Sequence, residues 1–155
     1  MTQRVTQFPI RPSLPMLAAL LLLAGCASVP LESAQEDARG KQFLSPPPDR
    51  GSLYVYRQGP MGAPVAIAVT LAGQPETPLA PDTFVWLEPA PGAIDVRCAG
   101  TDGGADTSVT VGPGETRFVE VAFRPGLMGS RCAVTEVAEA EGRAAVLASK
   151  RAVGP

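Results

Sequence analysis

Leu53-Tyr54-Val55-Tyr56-Arg57 is the stretch on which the fold turns. Aliphatic and aromatic residues alternate through it. Successive side chains of a strand point to opposite faces. The run therefore predicts a β-strand with Leu53 and Val55 inward and Tyr54 and Tyr56 on the other face. The segment Gly59-Pro60-Met61-Gly62-Ala63-Pro64 ends it, because glycine and proline punctuate regular structure.

The same period of two continues downstream. Strands are predicted at Val65 to Leu71, Thr83 to Glu88, Ala93 to Cys98, Asp106 to Val111, Thr116 to Phe123 and Arg131 to Val137. Between them stand the turn-rich segment Gly73 to Asp82, Pro91-Gly92, Gly100-Thr101-Asp102-Gly103-Gly104, Gly112-Pro113-Gly114 and the apolar loop Pro125 to Ser130. Short strands at this spacing predict an all-β domain, an antiparallel β-sandwich of about seven strands over residues 51–137. Phe84 and Trp86 share one face of their strand, with Val85 and Leu87 on the other, as expected of a central strand covered on both sides. From Glu139 to Lys150 the composition turns to Ala, Glu, Arg and Leu. This predicts a short C-terminal helix within residues 138–155, with Ala144, Leu147 and Ala148 facing the domain and Gly142 weakening it by about 1 kcal/mol.

Upstream, Ala27 to Arg50 is polar and ends in Pro46-Pro47-Pro48. It reads as a proline-tipped tether, residues 26–50, spanning about 27 Å if flexible. The competing reading gives Leu31 to Gln42 a short helix. Before it, Arg4 and Arg11 precede an apolar run from Leu14 to Ala24 with no acid before Glu32. That run is too short for a membrane span, which takes roughly 20 residues, and suits a signal segment. Leu23-Ala24-Gly25-Cys26 closes it and resembles the lipobox of bacterial lipoproteins. The resemblance implies removal of residues 1–25, recognition of Leu23, Ala24 and Gly25 by a signal peptidase, and lipidation of Cys26. Two or more acyl chains anchor a protein stably where one does not. Ala27 in place of Asp implies the outer membrane, with the domain facing the periplasm.

Composition narrows the chemistry. Removing Arg4 and Arg11 from the 13 basic residues leaves 11 against 15 acids, a net charge of −4 for residues 26–155. The charges are scattered, which argues against a nucleic-acid surface. The chain has no histidine. This excludes histidine-based nucleophilic catalysis and removes the commonest metal ligand. No phosphate loop and no nucleophile elbow is present. The expectation is a non-enzymatic protein with no metal and no cofactor. With Cys26 lipidated, Cys98 and Cys132 are the remaining cysteines. In an oxidising compartment they are expected to form a disulfide, the alternative being two buried thiols.

The run Pro46-Pro47-Pro48, then Leu53-Tyr54-Val55-Tyr56-Arg57, resembles a family of small bacterial secreted proteins and lipoproteins known as a domain of unknown function. Val69-Thr70-Leu71-Ala72-Gly73, Pro91-Gly92 and Gly112-Pro113-Gly114 extend the resemblance over roughly Ser45 to Leu147. It departs in the long, proline-rich stretch after Gly73 and in Ala72-Gly73, where the family has Asp-Gly. The resemblance implies a transthyretin-like or immunoglobulin-like sandwich and supplies no catalytic residues.

Tyr54, Tyr56 and Arg57 form the candidate interaction surface, for an envelope protein partner or, in the alternative reading, a glycan or small ligand. The competing reading has the tyrosines covered by the tether or the terminal helix. Asp102 and Asp106 flank a glycine pair, but an EF-hand counted from Asp102 would need Glu where Pro113 stands. A hairpin turn is expected. Simple up-and-down alternation puts the Met61 loop at one end of the sandwich and Leu127-Met128 at the other, where the tether enters and nearer the membrane; the favoured reading has these loop residues tucked on the sandwich rim. The alternation also puts both cysteines at the end where the tether enters.

Overall fold

The computed structural model describes residues 29–59 and 65–155. Along the chain these form α1 (Ala34–Gly40), β1 (Ser52–Arg57), β2 (Ile67–Leu71), β3 (Thr77–Leu79), β4 (Thr83–Leu87), β5 (Gly92–Ala99), β6 (Ala105–Val111), β7 (Thr116–Pro125), β8 (Ser130–Val137), α2 (Glu139–Ala148) and β9 (Lys150–Arg151). One sheet has the order β8-β7-β1-β4-β9 and the other β3-β2-β5-β6. The expected β-sandwich with a short C-terminal helix is what the chain forms. Each of the seven expected strands is present, and β3 and β9 are additional. β3 arises inside the proline-rich stretch after Gly73. It is too short to show a period, and its Pro78 lies opposite Ala68 at the sheet edge, where proline is tolerated.

Two apolar clusters lie on opposite faces of the five-stranded sheet. Between the sheets, Leu53, Val55 and Val85 pack with Val69, Leu71, Val96 and Val109. On the outer face, Tyr54, Tyr56, Phe84 and Phe118 pack with Ala145 and Val146 of α2. The alternation in β1 thus sends each set of side chains into its own core, and all six residues are buried.

The tether expectation fails at its centre. Val29 is buried with the inter-sheet core, and Leu31 bridges Ala152 in antiparallel fashion. Ser33 Oγ accepts a hydrogen bond from Glu36 N and caps α1, as short hydroxyl residues do at this position. α1 is held down at Asp37, which accepts from Lys41 Nζ at 2.8 Å and from the Arg151 amide at 2.7 Å. Burial alone would raise the Asp37 pKa, but these two donors outweigh it and hold the carboxyl below its ordinary value. The competing helix reading is the one the chain adopts, over a shorter range.

The terminal helix forms, but on a different face from the one expected. Gly142, Ala145 and Val146 are buried, whereas Leu147 is 57% exposed. A Cβ on Gly142 would sit 2.3 Å from Phe118 Cβ. Gly142 is therefore where the helix touches the sheet, and its cost in helix propensity is offset by close approach.

The five-stranded sheet is mixed. β1 runs parallel to β7, in register from Ser52 opposite Thr116 to Tyr56 opposite Glu120. This overturns the up-and-down expectation. The end of β1 at Arg57 and the β7–β8 loop lie at the same end of the sheet. Cys98 and Cys132 also lie at that end, where β1 finishes, rather than where it begins. They form a disulfide with a Cα–Cα distance of 6.3 Å that ties β5 of one sheet to β8 of the other.

Replacing both cysteines by Ala should lower the unfolding free energy by about 3 to 4 kcal/mol for a closed loop of this length. Urea denaturation with and without reductant measures it, and a loss below about 1 kcal/mol would contradict the chain-entropy account. For Gly142→Ala the helix gains propensity yet the protein should lose about 1 to 3 kcal/mol through overpacking on Phe118. A rise in the urea midpoint would show that the contact is not tight.

Candidate functional site

Tyr54, Tyr56 and Arg57 do not form a surface. Tyr54 and Tyr56 are 0% exposed and Arg57 is 1% exposed. Period-two geometry also separates them. Arg57 shares the inward face with Leu53 and Val55, opposite the tyrosines. Its Nη1 donates to the carbonyls of Val65 and, at 3.2 Å, Leu79. It thereby links β1 to the other sheet. Burial draws its pKa down, and the Asp82 carboxylate partly counters this.

Tyr54 is the centre of an aromatic ladder across three strands. Trp86, its partner on β4, stacks at 5.8 Å, and Phe118, its partner on β7, stacks at 5.1 Å. Phe43 lies 5.4 Å from Tyr54, tilted, and 6.0 Å from Phe118, edge-on. Phe43 adopts a φ of 49°, an unusual backbone for a bulky residue, and these contacts hold it there. The Tyr54 hydroxyl donates to the Gly40 carbonyl at 2.9 Å and fastens α1 to the sheet. Trp86 Nε1 donates to Ser52 Oγ at 2.8 Å, and the Arg151 guanidinium lies 4.9 Å from the indole. The competing reading, in which N-terminal segment and terminal helix cover the tyrosines, is therefore the observed one. Tyr56 differs from Tyr54: its buried hydroxyl has no hydrogen-bond partner among the described residues.

Two of the recesses among the described residues flank the sheets near these groups. One, about 500 Å3, lies beside α2 and is lined by Phe43, Arg117, Glu136 and Arg143 among others. Its charges are paired: Arg117 with Glu115 at 2.9 Å and Glu136 at 3.4 Å, and Arg143 with Glu139 at 2.8 Å. The hydrogen bond from Arg117 holds Glu115 below the usual carboxylate range. The other, about 610 Å3, is largely apolar and lies at the end where β1 finishes, between Val65, Ala68, Ala99 and Phe123. No cluster of three or more His, Cys, Asp or Glu that could hold a metal occurs among the described residues.

Beside the apolar recess, Leu127 and Met128 are not tucked on the rim of the sandwich as the sequence led one to expect. β7 continues four residues past the end of β1, and its hairpin with β8 carries Leu127 at 99% and Met128 at 94% exposure. The hairpin backbone is clamped from the neighbouring turn. Met128 N donates to Asp102 Oδ2 at 2.9 Å, Asp102 N to the Ser130 carbonyl at 2.8 Å, and Ser130 N to Thr101 Oγ1 at 2.9 Å. A Cβ at Gly126 would meet Asp102 Oδ2 at 2.3 Å, and one at Gly129 would meet Thr101 Oγ1 at 2.2 Å. The expected hairpin turn at Asp102 forms and also holds a second hairpin. In sequence, the available signal was a pair of large apolar residues between two glycines inside a pair of arginines. Leu23, Ala24, Gly25, Cys26 and Met61 lie outside the described residues.

Burial raises both tyrosine pKa values to about 12. A raised acid pKa favours the folded state fully below the unfolded value near 10 and loses that contribution as pH climbs towards 12. Absorbance at 295 nm should therefore show no tyrosinate near pH 10, then both tyrosines ionising as the protein unfolds. A normal titration at pH 10 would place a tyrosine in solvent. Tyr54→Phe should cost about 1 to 3 kcal/mol by orphaning the Gly40 carbonyl, whereas Tyr56→Phe should be neutral or stabilising. Equal losses from both, read in urea, would contradict the assigned hydrogen bonding.

No family model matches the chain, and no solved structure matches it. The chain is similar to an uncharacterised protein of Haemophilus influenzae, with 25% identity over 131 residues, covering 84% of this chain and 78% of the relative.

Proposed function

We propose that this chain is a lipid-anchored, non-enzymatic protein of the bacterial envelope, a structural or protein-interaction module facing the periplasm from the outer membrane. Leu23-Ala24-Gly25-Cys26, behind a basic and apolar leader, is the observation that carries the reading. The Cys98–Cys132 disulfide supports it, since such bonds persist in oxidising compartments. The commitment of Tyr54, Tyr56 and Phe84 to packing favours a partner met at the rim of the domain over a ligand held on an aromatic platform. The likeness to the domain family of unknown function belongs to the same proposal.

The reading changes how the anchor works. Two residues, Ala27 and Ser28, separate Cys26 from buried Val29. A chain of that length reaches at most about 11 Å. The domain therefore sits against the lipid surface instead of standing off on a 24-residue tether.

Cys26→Ala tests the proposal. The variant should lose acyl labelling and persist as uncleaved precursor, while the wild type fractionates with outer-membrane markers. Normal maturation of the variant would overturn the anchor, and wild type co-sedimenting with inner-membrane markers would overturn the location.

A further inference from the structure

We propose that the end of the sandwich carrying Leu127 and Met128 is a lipid-contacting surface. In this arrangement the β7–β8 tip enters the interfacial layer of the membrane, and Arg124 and Arg131 engage anionic headgroups. The inference rests on the anchor reading above and adds the orientation of the domain on the bilayer.

Four observations carry it. Leu127 and Met128 are almost wholly exposed although their backbone is pinned by Thr101 and Asp102. The fold thus holds two large apolar side chains in solvent on a firm support. The tip projects, and projecting apolar groups suit a deformable apolar medium better than a rigid partner. The largely apolar recess that includes Val65 and Phe123 continues this surface at its foot.

The second observation is charge. Arg124 and Arg131 stand directly opposite each other in the β7–β8 register. Like charges so placed repel. Both are exposed, and neither has an ion-pair partner among the described residues. The one carboxylate hydrogen-bonded to the tip, Asp102, accepts from the Met128 amide. An apolar tip above a cationic pair has the distribution of an interfacial anchor, whose arginines reach back to phosphates while the apolar residues sit deeper.

The third is position. Val29 lines a recess with Asp82 and Thr83. Thr83 pairs with Arg57, the last residue of β1, and Asp82 Oδ1 accepts from Gly59 N. Val29, the first described residue, therefore shares a recess with residues at the end of the sheet that bears the tip, although on the β9 edge of the sheet and not the β8 edge. The fourth is reach. With about 11 Å at most between Cys26 and Val29, acyl chains in the bilayer bring that end to the lipid surface.

The test uses the full chain, matured in cells and reconstituted through its own anchor. Leu127→Cys and, separately, Met128→Cys are labelled with an environment-sensitive nitrobenzoxadiazole probe, and Glu139→Cys on α2 serves as control. On vesicles of phosphatidylethanolamine with phosphatidylglycerol, both tip probes should shift to the blue and be quenched by nitroxide-bearing lipids, while the Glu139 probe stays aqueous. Adding Arg124→Gln and Arg131→Gln, or raising salt, should reduce the shift. A tip probe that stays aqueous on these vesicles overturns the proposal. So does one that shifts equally without lipid at high protein concentration, which points to a second copy, or only after an envelope extract is added, which points to a protein partner. Mass analysis of the N-terminus reports the acylation separately. If Cys26 carries no lipid, the same probes with added vesicles still decide whether the tip enters a bilayer.

Discussion

Every residue of β1 is buried on both faces, and most of the architecture follows from satisfying that one strand. A sheet face left apolar must be covered. Leu53 and Val55 are covered by the second sheet. Tyr54 and Tyr56 need a separate cover, and it comes from the two ends of the described chain: α1 through the Tyr54–Gly40 hydrogen bond, α2 through Gly142 against Phe118. Large aromatics contribute about 1.5 to 3 kcal/mol each when fully buried, with more from stacking. A ladder of Trp86, Tyr54 and Phe118 is therefore enough to draw a polar N-terminal segment onto the sheet. Arg151 completes the attachment, since its amide and guanidinium bind Asp37 and Glu36 of α1 while the guanidinium lies over Trp86.

The cover has a consequence for the proposed anchoring. A segment that would otherwise be a flexible spacer becomes part of the domain. The distance between lipid and protein is then set by the few residues before Val29. A domain held that close presents one end to the bilayer, and the character of that end matters in a way it would not on a long tether. This is why the β7–β8 tip, with its exposed apolar pair and facing arginines, carries more weight than the charged groove beside α2, whose arginines are already paired.

The parallel pairing of β1 with β7 brings the features of that end together. It puts the end of β1, the disulfide and the hairpin tip at one pole. Antiparallel alternation would have scattered them. The Cys98–Cys132 bond and the Asp102 clamp then fix the β5–β6 turn to the β7–β8 hairpin, so that pole is the more rigid for it.

The sequence by itself determined the elements that depend on local period. The alternation in Leu53-Tyr54-Val55-Tyr56-Arg57, the two apolar faces of Thr83 to Leu87, and the turn glycines placed seven of the nine strands among the described residues, and elimination paired the two cysteines. Period two says which residues share a face but not what lies against that face. The partners of β1, the helices over its tyrosines, the short strands β3 and β9, and the side of α2 that docks were decided by tertiary structure alone. Each depends on burial between segments far apart in the chain. Arg57 shows the limit in a single residue: sequence proximity grouped it with the tyrosines on one surface. The pleat of the strand sends it the other way, between the sheets, where the Val65 and Leu79 carbonyls accept its hydrogen bonds.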